Sequence, residues 1–495
     1  MRVRRPLATA VGAAAALGTA FLAVDERRRS VTRRALLGVA RTGRLVAAAT
    51  RSGLDYRRAM RERPGEESDW SDVHEAAAER FVDVCRRNRG VYVKLGQSIA
   101  LMDHVLPAPF PRAFSSMFAA APVSSFADVE RTIRADLGAA PDELFENFSR
   151  EPVASASLAQ VHTAEWNGRR VAVKVQHLDL DWESRADVLV IDALLRLAAW
   201  LFPDFSYAWI GEETRKNLPL ELDFVHEARN SERTARDFAD WDAVYVPRIE
   251  WDRTSKRVLT MEFIEGIGAG ERDALVAAGV DPAEVSRLIS KVFAAMMFRS
   301  GFVHCDPHPG NMLVRQRDGR TQLVLLDHGL YQQLSEKTRL AYANLWKSIV
   351  FTDEDGVRDA AANLGAGELY RLFASMISLQ RWDDLMANAG DGTIDHESLA
   401  RDGQLYVREI IRVLNSVDRK VLFLLKTNDC LRHVDRLLGT PFNSYLITSK
   451  FAVANSDATE TEIRSARLRL ALGRAGAAVW RLVATPDEPE PIPDI

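Results

Sequence analysis

The sequence predicts an α+β protein in two lobes, with a helical extension before the first lobe and an all-helical region after the second. Three observations predict it. Strand-like runs are confined to the middle of the chain, chiefly 152–177, 258–264 and 322–330. Almost everything else carries apolar residues at helical spacing. The strands are punctuated by Asn167-Gly168 and Asp318-Gly319, dipeptides suited to tight hairpin turns.

Taken in chain order, residues 1–60 hold 13 Arg and no Lys against Asp25, Glu26 and Asp55, a net +10. The whole chain sums to −4, so the remainder carries −14. Inside the basic head lies the uncharged run Pro6–Val24, PLATAVGAAAALGTAFLAV. Nineteen residues at about 1.5 Å each just span a hydrocarbon core, which suits a retained anchor. Arg-rich, acid-poor composition suits a cleaved organelle presequence equally, and a soluble helix is the third reading. Asp72–Leu101 reads as one helix, and Val105–Phe126, rich in Pro and Ser, as a connection. Pro152–His177 reads as two strands, 185–202 and 213–236 as helices, Val258–Ile264 as a buried strand and 282–299 as helix. Everything beyond about Ser335 reads as helix. Within it, Arg464–Ala484 is interrupted by arginines and fits an amphipathic surface helix or one docked on the body. The last residues, TPDEPEPIPDI, have the composition of a disordered tail. The predicted organisation is a basic targeting or membrane segment at 1–60 and a helical extension at 61–135. A catalytic domain follows at 136–440, with lobes 136–265 and 266–440, and then a C-terminal helix and tail at 441–495.

Composition narrows the function. With 495 residues, 47% of them hydrophobic, the chain can bury a sizeable core and is no disordered tail or mini-protein. A net charge so near zero argues against nucleic acid as a partner. Cys85, Cys305 and Cys430 form no CxxC pair, which argues against a structural zinc site and a disulfide framework.

Three short segments carry chemistry. VAVK puts Lys174 on a strand among apolar neighbours, where its ammonium needs a carboxylate or phosphate partner. HCDPHPGN sets Asp306 and Asn311 five residues apart in a loop that Pro307, Pro309 and Gly310 keep from becoming helix. LLDHG brings Asp327 to the end of a buried strand, before a glycine. A lysine, an Asp with an Asn five residues on, and a strand-end Asp are parts for handling phosphate and Mg²⁺. Each alone is weak, but together, in this order and separation, they are the parts a kinase fold requires. The segment before VAVK should hold a glycine-rich loop over the phosphates. Here it is PVASASLAQVH, in which Ala154, Ser155, Ala156 and Ser157 restrict the backbone's approach.

These residues resemble the UbiB-like atypical kinases, the aarF-domain-containing kinases, over about residues 75–440. Four features are specific to that family: VKLGQS with Lys94, Gly96 and Gln97; the Ala-rich loop 154–157; ELDFVHEARN at 221–230; and HCDPHPGN with LLDHG. Within it, KNLPLELDF, PRIEWD, FVHCDPHPGNMLVR and VLLDHGLYQ resemble the mitochondrial subgroup most closely.

The resemblance implies a bilobal protein-kinase-like fold with a helical KxGQ extension. It implies Lys174 as the nucleotide-binding lysine and Glu227 as its ion-pair partner. Asp306 falls at the catalytic aspartate, Asn311 and Asp327 at the Mg²⁺ ligands, and Met261, Glu262 and Phe263 at the adenine pocket. Ala154–Ser157 would cover the nucleotide. Glu221 and Asp223 form an ExD element expected to meet Lys94, and Lys94 and Gln97 would fold over the site where a protein kinase admits a peptide. Cys305 stands where kinases commonly carry the Arg of an HRD triplet. The implied activity is that of a membrane-associated atypical kinase or ATPase using ATP or ADP with Mg²⁺. It would be associated with the inner mitochondrial membrane and act on a membrane lipid or an isoprenoid-like small molecule. A nucleotide-switched scaffold or lipid-extraction chaperone is the alternative. A phosphotransferase of the aminoglycoside or choline type shares D-x4-N but leaves VKLGQS and the Ala-rich loop unexplained.

Overall fold

The computed structural model describes residues 26–63, 70–100, 106–117, 123–178, 180–201, 208–378, 380–388, 407–439 and 444–470. Pro6–Val24 and the tail lie outside these residues, as does Arg464–Ala484 beyond residue 470; up to 470 that stretch is helical. Among the described residues no helix is long and apolar enough to cross a membrane. They fall into two compact units, one of residues up to Val129 with Ala154–Gln160 and Gln176–Leu218, the other of Glu130–Val153, Val161–Val175 and the chain from Pro219 on.

The first unit is built on the helices α1 (Glu26–Glu62), α2 (Ser71–Asn88), α3 (Val91–Ala100), α4 (Leu180–Leu201) and α5 (Ala208–Glu221). Leu45, Val82, Tyr92, Phe114, Met117 and Ile191 form its buried cluster. Arg41 enters that interior on α1, and its Nε donates to Asp187 Oδ2 at 3.1 Å while its guanidinium also bonds the Asn88 carbonyl. A buried guanidinium needs this full set of acceptors to offset its desolvation.

The single helix expected over Asp72–Leu101 is two. Arg89 and Gly90 both take positive φ, 58° and 52°, which stops α2 and redirects the chain into α3. The connection expected over Val105–Phe126 is partly helical at Pro109–Phe114, followed by a 3₁₀ turn at Ser115–Met117. Its prolines occupy the first turn, where a missing N–H is not needed, so composition suggested a loop. A Cβ on Gly96 in α3 would lie 2.9 Å from Met117 Cγ and 3.0 Å from Phe114 Cδ1. Only a glycine lets the helix sit this close.

The second unit holds most of the strands. β2 (Ala159–Trp166) and β3 (Arg169–Gln176) turn at Asn167 (φ 52°) and Gly168 (φ 68°), the two positive φ values of a tight hairpin. β3 pairs antiparallel with β5 (Val258–Glu262), Lys174 opposite Leu259, while the two-residue strand β1 (Ala154–Ser155) falls in the first unit. A second sheet runs β4 (Val244–Tyr245), β9 (Arg320–Leu325), β8 (Met312–Arg317), β6 (Ile267–Gly268). β7 (Phe302–His304) pairs with β10 (Tyr331–Gln333), bringing Tyr331 opposite His304.

The helix expected over 213–236 is also interrupted. α5 ends at Glu221, and Asp223 caps a new helix α6 (Phe224–Asp237), its Oδ1 accepting the Val225 N–H at 3.0 Å. α7 (Pro282–Ala295) runs on through a π turn at Met296–Ser300 until Gly301, at φ 64°, steers the chain into β7. Phe293, Phe298, Tyr342 and Phe373 are fully buried in the core of this unit, together with residues of α8 (Glu336–Phe351) and α9 (Arg419–Leu437).

The tight seat of Gly96 makes a prediction. Gly96→Val lowers stability by about 1–3 kcal/mol, as overpacking does, read as a fall in the denaturant midpoint at unchanged slope.

Candidate functional site

The candidate site lies within the second unit and begins with Lys174. Val173 and Val175, its neighbours on β3, are fully buried. Its Nζ donates to Glu227 Oε1 at 2.6 Å and to Asp327 Oδ2 at 2.9 Å. The Phe224 ring lies 5.1 Å from the same nitrogen. Burial pushes the Lys174 pKa down, but the Asp327 and Glu227 carboxylates outweigh it and the net shift is upward, so the ammonium stays charged. Glu227 is 2% exposed. Burial raises its carboxyl, Lys174 opposes this and Asp327 adds to it, leaving it pushed up to about 7.

The Lys174 ammonium thus meets both carboxylates in a place that hydrates anions poorly. The donors nearby are oxygens. Asn311 gives its Nδ2–H to the Asp306 carbonyl at 3.2 Å, which leaves its Oδ1 as the atom to face a cation. A hard divalent ion that takes one or two protein oxygens and completes its shell with phosphate and water fits Asn311 with Asp327. No group of three or more His, Cys, Asp or Glu among the described residues forms a protein-only cage.

α6 holds the segment after β9 as well as the lysine. Asn230, one turn beyond Glu227, donates its Nδ2–H to the His328 carbonyl at 3.0 Å. Asp327 Oδ1 accepts the Gly329 N–H at 3.1 Å. His328 Nε2 bonds the Leu325 carbonyl at 3.1 Å and its Nδ1 faces the Tyr331 hydroxyl at 2.9 Å. Burial first, with His304 next to it, depresses His328 to about 3. His304, also held down by burial, stacks on Tyr331 at 5.0 Å and accepts the Asp306 N–H on Nδ1 at 3.1 Å. Both imidazoles are neutral supports of the loop rather than charges in it.

Asp306 is met from a distant part of the chain. Lys426 Nζ on α9 lies 3.5 Å from its Oδ1. Sequence reading missed both Asn230 and Lys426. Asn230 is visible in hindsight as the i+3 neighbour of Glu227. Lys426 shows only as a lysine in the apolar helix VLFLLK, with no spacing to tie it to HCDPHPGN.

The remaining candidates sit as follows. Met261 is buried, while the Glu262 and Phe263 N–H groups already bond the Arg248 and Arg170 carbonyls at 2.8 and 3.2 Å. A base docked on this segment would meet carbonyls and the residues that follow. Glu221 ends α5, and one oxygen of Asp223 serves as the cap of α6. Lys94, Gln97 and Ala154–Ser157 belong to the first unit. There Gln97 Nε2 donates to the Met117 carbonyl at 3.3 Å. The Ala156 carbonyl is met by His177 Nε2 at 3.0 Å, while His177 Nδ1 faces the Ser124 hydroxyl at 2.7 Å, so the Ala-rich loop is pinned from its own unit.

Comparison with known proteins follows this geometry. A family model described as the ABC1 atypical kinase-like domain matches residues 116–361. The chain is similar to AarF domain-containing protein kinase 1 of Mus musculus, 41% identical over 413 residues, which are 81% of this chain and 79% of the mouse protein. The Xenopus laevis protein of that name is 40% identical, with 82% and 80% covered. AarF domain-containing kinase 1 of Drosophila melanogaster is 38% identical over 438 residues, with 86% and 85% covered.

Two measurements probe the cluster. Lys174→Met leaves two carboxylates without their cation and costs about 3–5 kcal/mol of stability, read in denaturant titrations. His328 loses stabilising power as pH falls from 6.5 towards 3, because the unfolded imidazole binds the proton more tightly, at up to about 1.4 kcal/mol per pH unit. Glu227 acts oppositely between 7 and 4.5, so the variant isolates the term. The destabilisation caused by His328→Gln is largest at pH 7.5 and shrinks by pH 5.5.

Proposed function

The chain belongs to the ABC1/AarF atypical kinase family, and on that premise we propose that it binds Mg-nucleotide and works as a membrane-associated atypical kinase or ATPase in mitochondrial lipid or quinone homeostasis. The observation that carries the nucleotide reading is the Lys174 ammonium between Glu227 and Asp327, at 2.6 and 2.9 Å.

In this reading Lys174 grips the α- and β-phosphates of ATP or ADP, held in place by Glu227. Asn311 and Asp327 hold Mg²⁺, which neutralises phosphate charge when bound. Asp306 orients the acceptor and takes its proton. Met261–Phe263 lines the adenine pocket, and Ala154–Ser157 covers the phosphates with less backbone freedom than a glycine loop has. Lys94 and Gln97, with Glu221 and Asp223, control access, which favours a small or lipidic acceptor over a protein. The +10 head of residues 1–60 supports attraction to an anionic membrane. The lipid or isoprenoid-like substrate and the mitochondrial address rest on the family resemblance.

Asp327→Asn tests the nucleotide site. Mg-dependent nucleotide affinity falls at least about tenfold and turnover drops to background, one lost charge–metal contact being worth about 1.4 kcal/mol or more; unchanged turnover sinks the assignment. Nucleotide turnover by the full chain, with and without cardiolipin-containing liposomes and isoprenoid-like phenols, tests the membrane reading. Lipid-stimulated hydrolysis without a phosphorylated product points instead to a nucleotide-switched scaffold or lipid-extraction chaperone.

A further inference from the structure

We propose that Lys426 is a positioning residue for the reaction, a cation supplied by α9 that holds the Asp306 carboxylate aimed at the acceptor. The inference rests on the reading of Asp306 given above and adds a residue to it.

The loop itself brings no fixed cation. HCDPHPGN contains neither Lys nor Arg, and its histidines have structural duties. His304 Nδ1 accepts the Asp306 N–H, and His308 Nδ1 accepts the Gly310 N–H at 3.1 Å. The positive charge beside Asp306 comes from 120 residues downstream, at 3.5 Å. The two side chains are 24% and 17% exposed, so the pair is screened far less than one on the surface.

α9 holds that charge in a fixed place. Val421, Leu424 and Thr427 are buried on either side of Lys426. Thr427 Oγ1 bonds the Phe423 carbonyl at 2.8 Å and reaches the His304 carbonyl at 3.5 Å, next to the loop. Asn428 Nδ2 donates to the Tyr342 hydroxyl at 3.1 Å on α8. Three consecutive residues, Lys426, Thr427 and Asn428, therefore tie α9 to the loop, to the strand behind it and to the core. A functional group on so supported a helix is held to the tolerance that proton transfer demands.

The chemistry explains the requirement. In the transfer step the acceptor O–H gives its proton to Asp306, the acceptor oxygen forms a bond to the γ-phosphorus, and the bond from phosphorus to the β–γ bridging oxygen breaks with its electron pair leaving on ADP. Lys426 exchanges no proton. Its charge fixes the direction of the Asp306 carboxylate through the ion pair, and it offsets the negative charge gathered around the phosphoryl group.

The test compares Lys426→Met and Lys426→Arg in the full chain, using Mg-ATP with water or any acceptor found. For Lys426→Met, Mg-nucleotide Kd stays within about twofold while kcat falls about 10–100-fold. Lys426→Arg, which keeps the charge, restores most of kcat. An unmoved kcat in Lys426→Met overturns the proposal. So does a loss of turnover matched by equal losses in nucleotide binding and melting temperature, since Lys426 would then only pin the helix. If the unsubstituted chain binds nucleotide but shows no turnover, the kinase reading of Asp306 fails and this role fails with it.

Discussion

A single ammonium held between two carboxylates in a poorly hydrated place is the constraint around which the second unit is organised. Lys174 can sit on a buried strand only because Glu227 and Asp327 are brought to it. That need fixes where α6 lies against β3 and how the chain leaves β9. The neutral histidines follow from the same constraint. A charged His328 would bring a second buried cation near Lys174, whereas a neutral one leaves the ion cluster as it is.

Much of this site was legible because its parts are local. Lys174 is marked by the apolar strand around it, Asp306 and Asn311 by prolines that forbid helix between them, and Asp327 by a strand ending at Asp-x-Gly. The hairpin turns at Asn167-Gly168 and Asp318-Gly319 were legible for the same reason, since positive φ at both positions selects those residues. Glu227 needed the resemblance, because the 53 residues separating it from Lys174 contain two helices that no pairing rule spans.

What stayed illegible depends on contacts distant in sequence or on breaks that composition hides. Arg89 gives no warning that it will take a positive φ; the break there serves the packing of Gly90 against Leu180, where a Cβ would lie 3.0 Å from Cδ1. Pro109 and Pro111 suggested a loop and instead begin a helix. Asp223 starts α6 by capping it through the Val225 N–H, where one continuous helix was expected. In each case composition gave no sign of where a helix would start or stop.

Glu227 and Asn230 have a consequence for how the site can be switched. They lie three residues apart on one face of α6, one holding the lysine and the other the backbone carrying Asp327. Turning that helix by one residue, about 100°, would withdraw both at once. The lysine and the strand end that carries Asp327 therefore depend on one helix face, and any change in that helix's setting reaches both together.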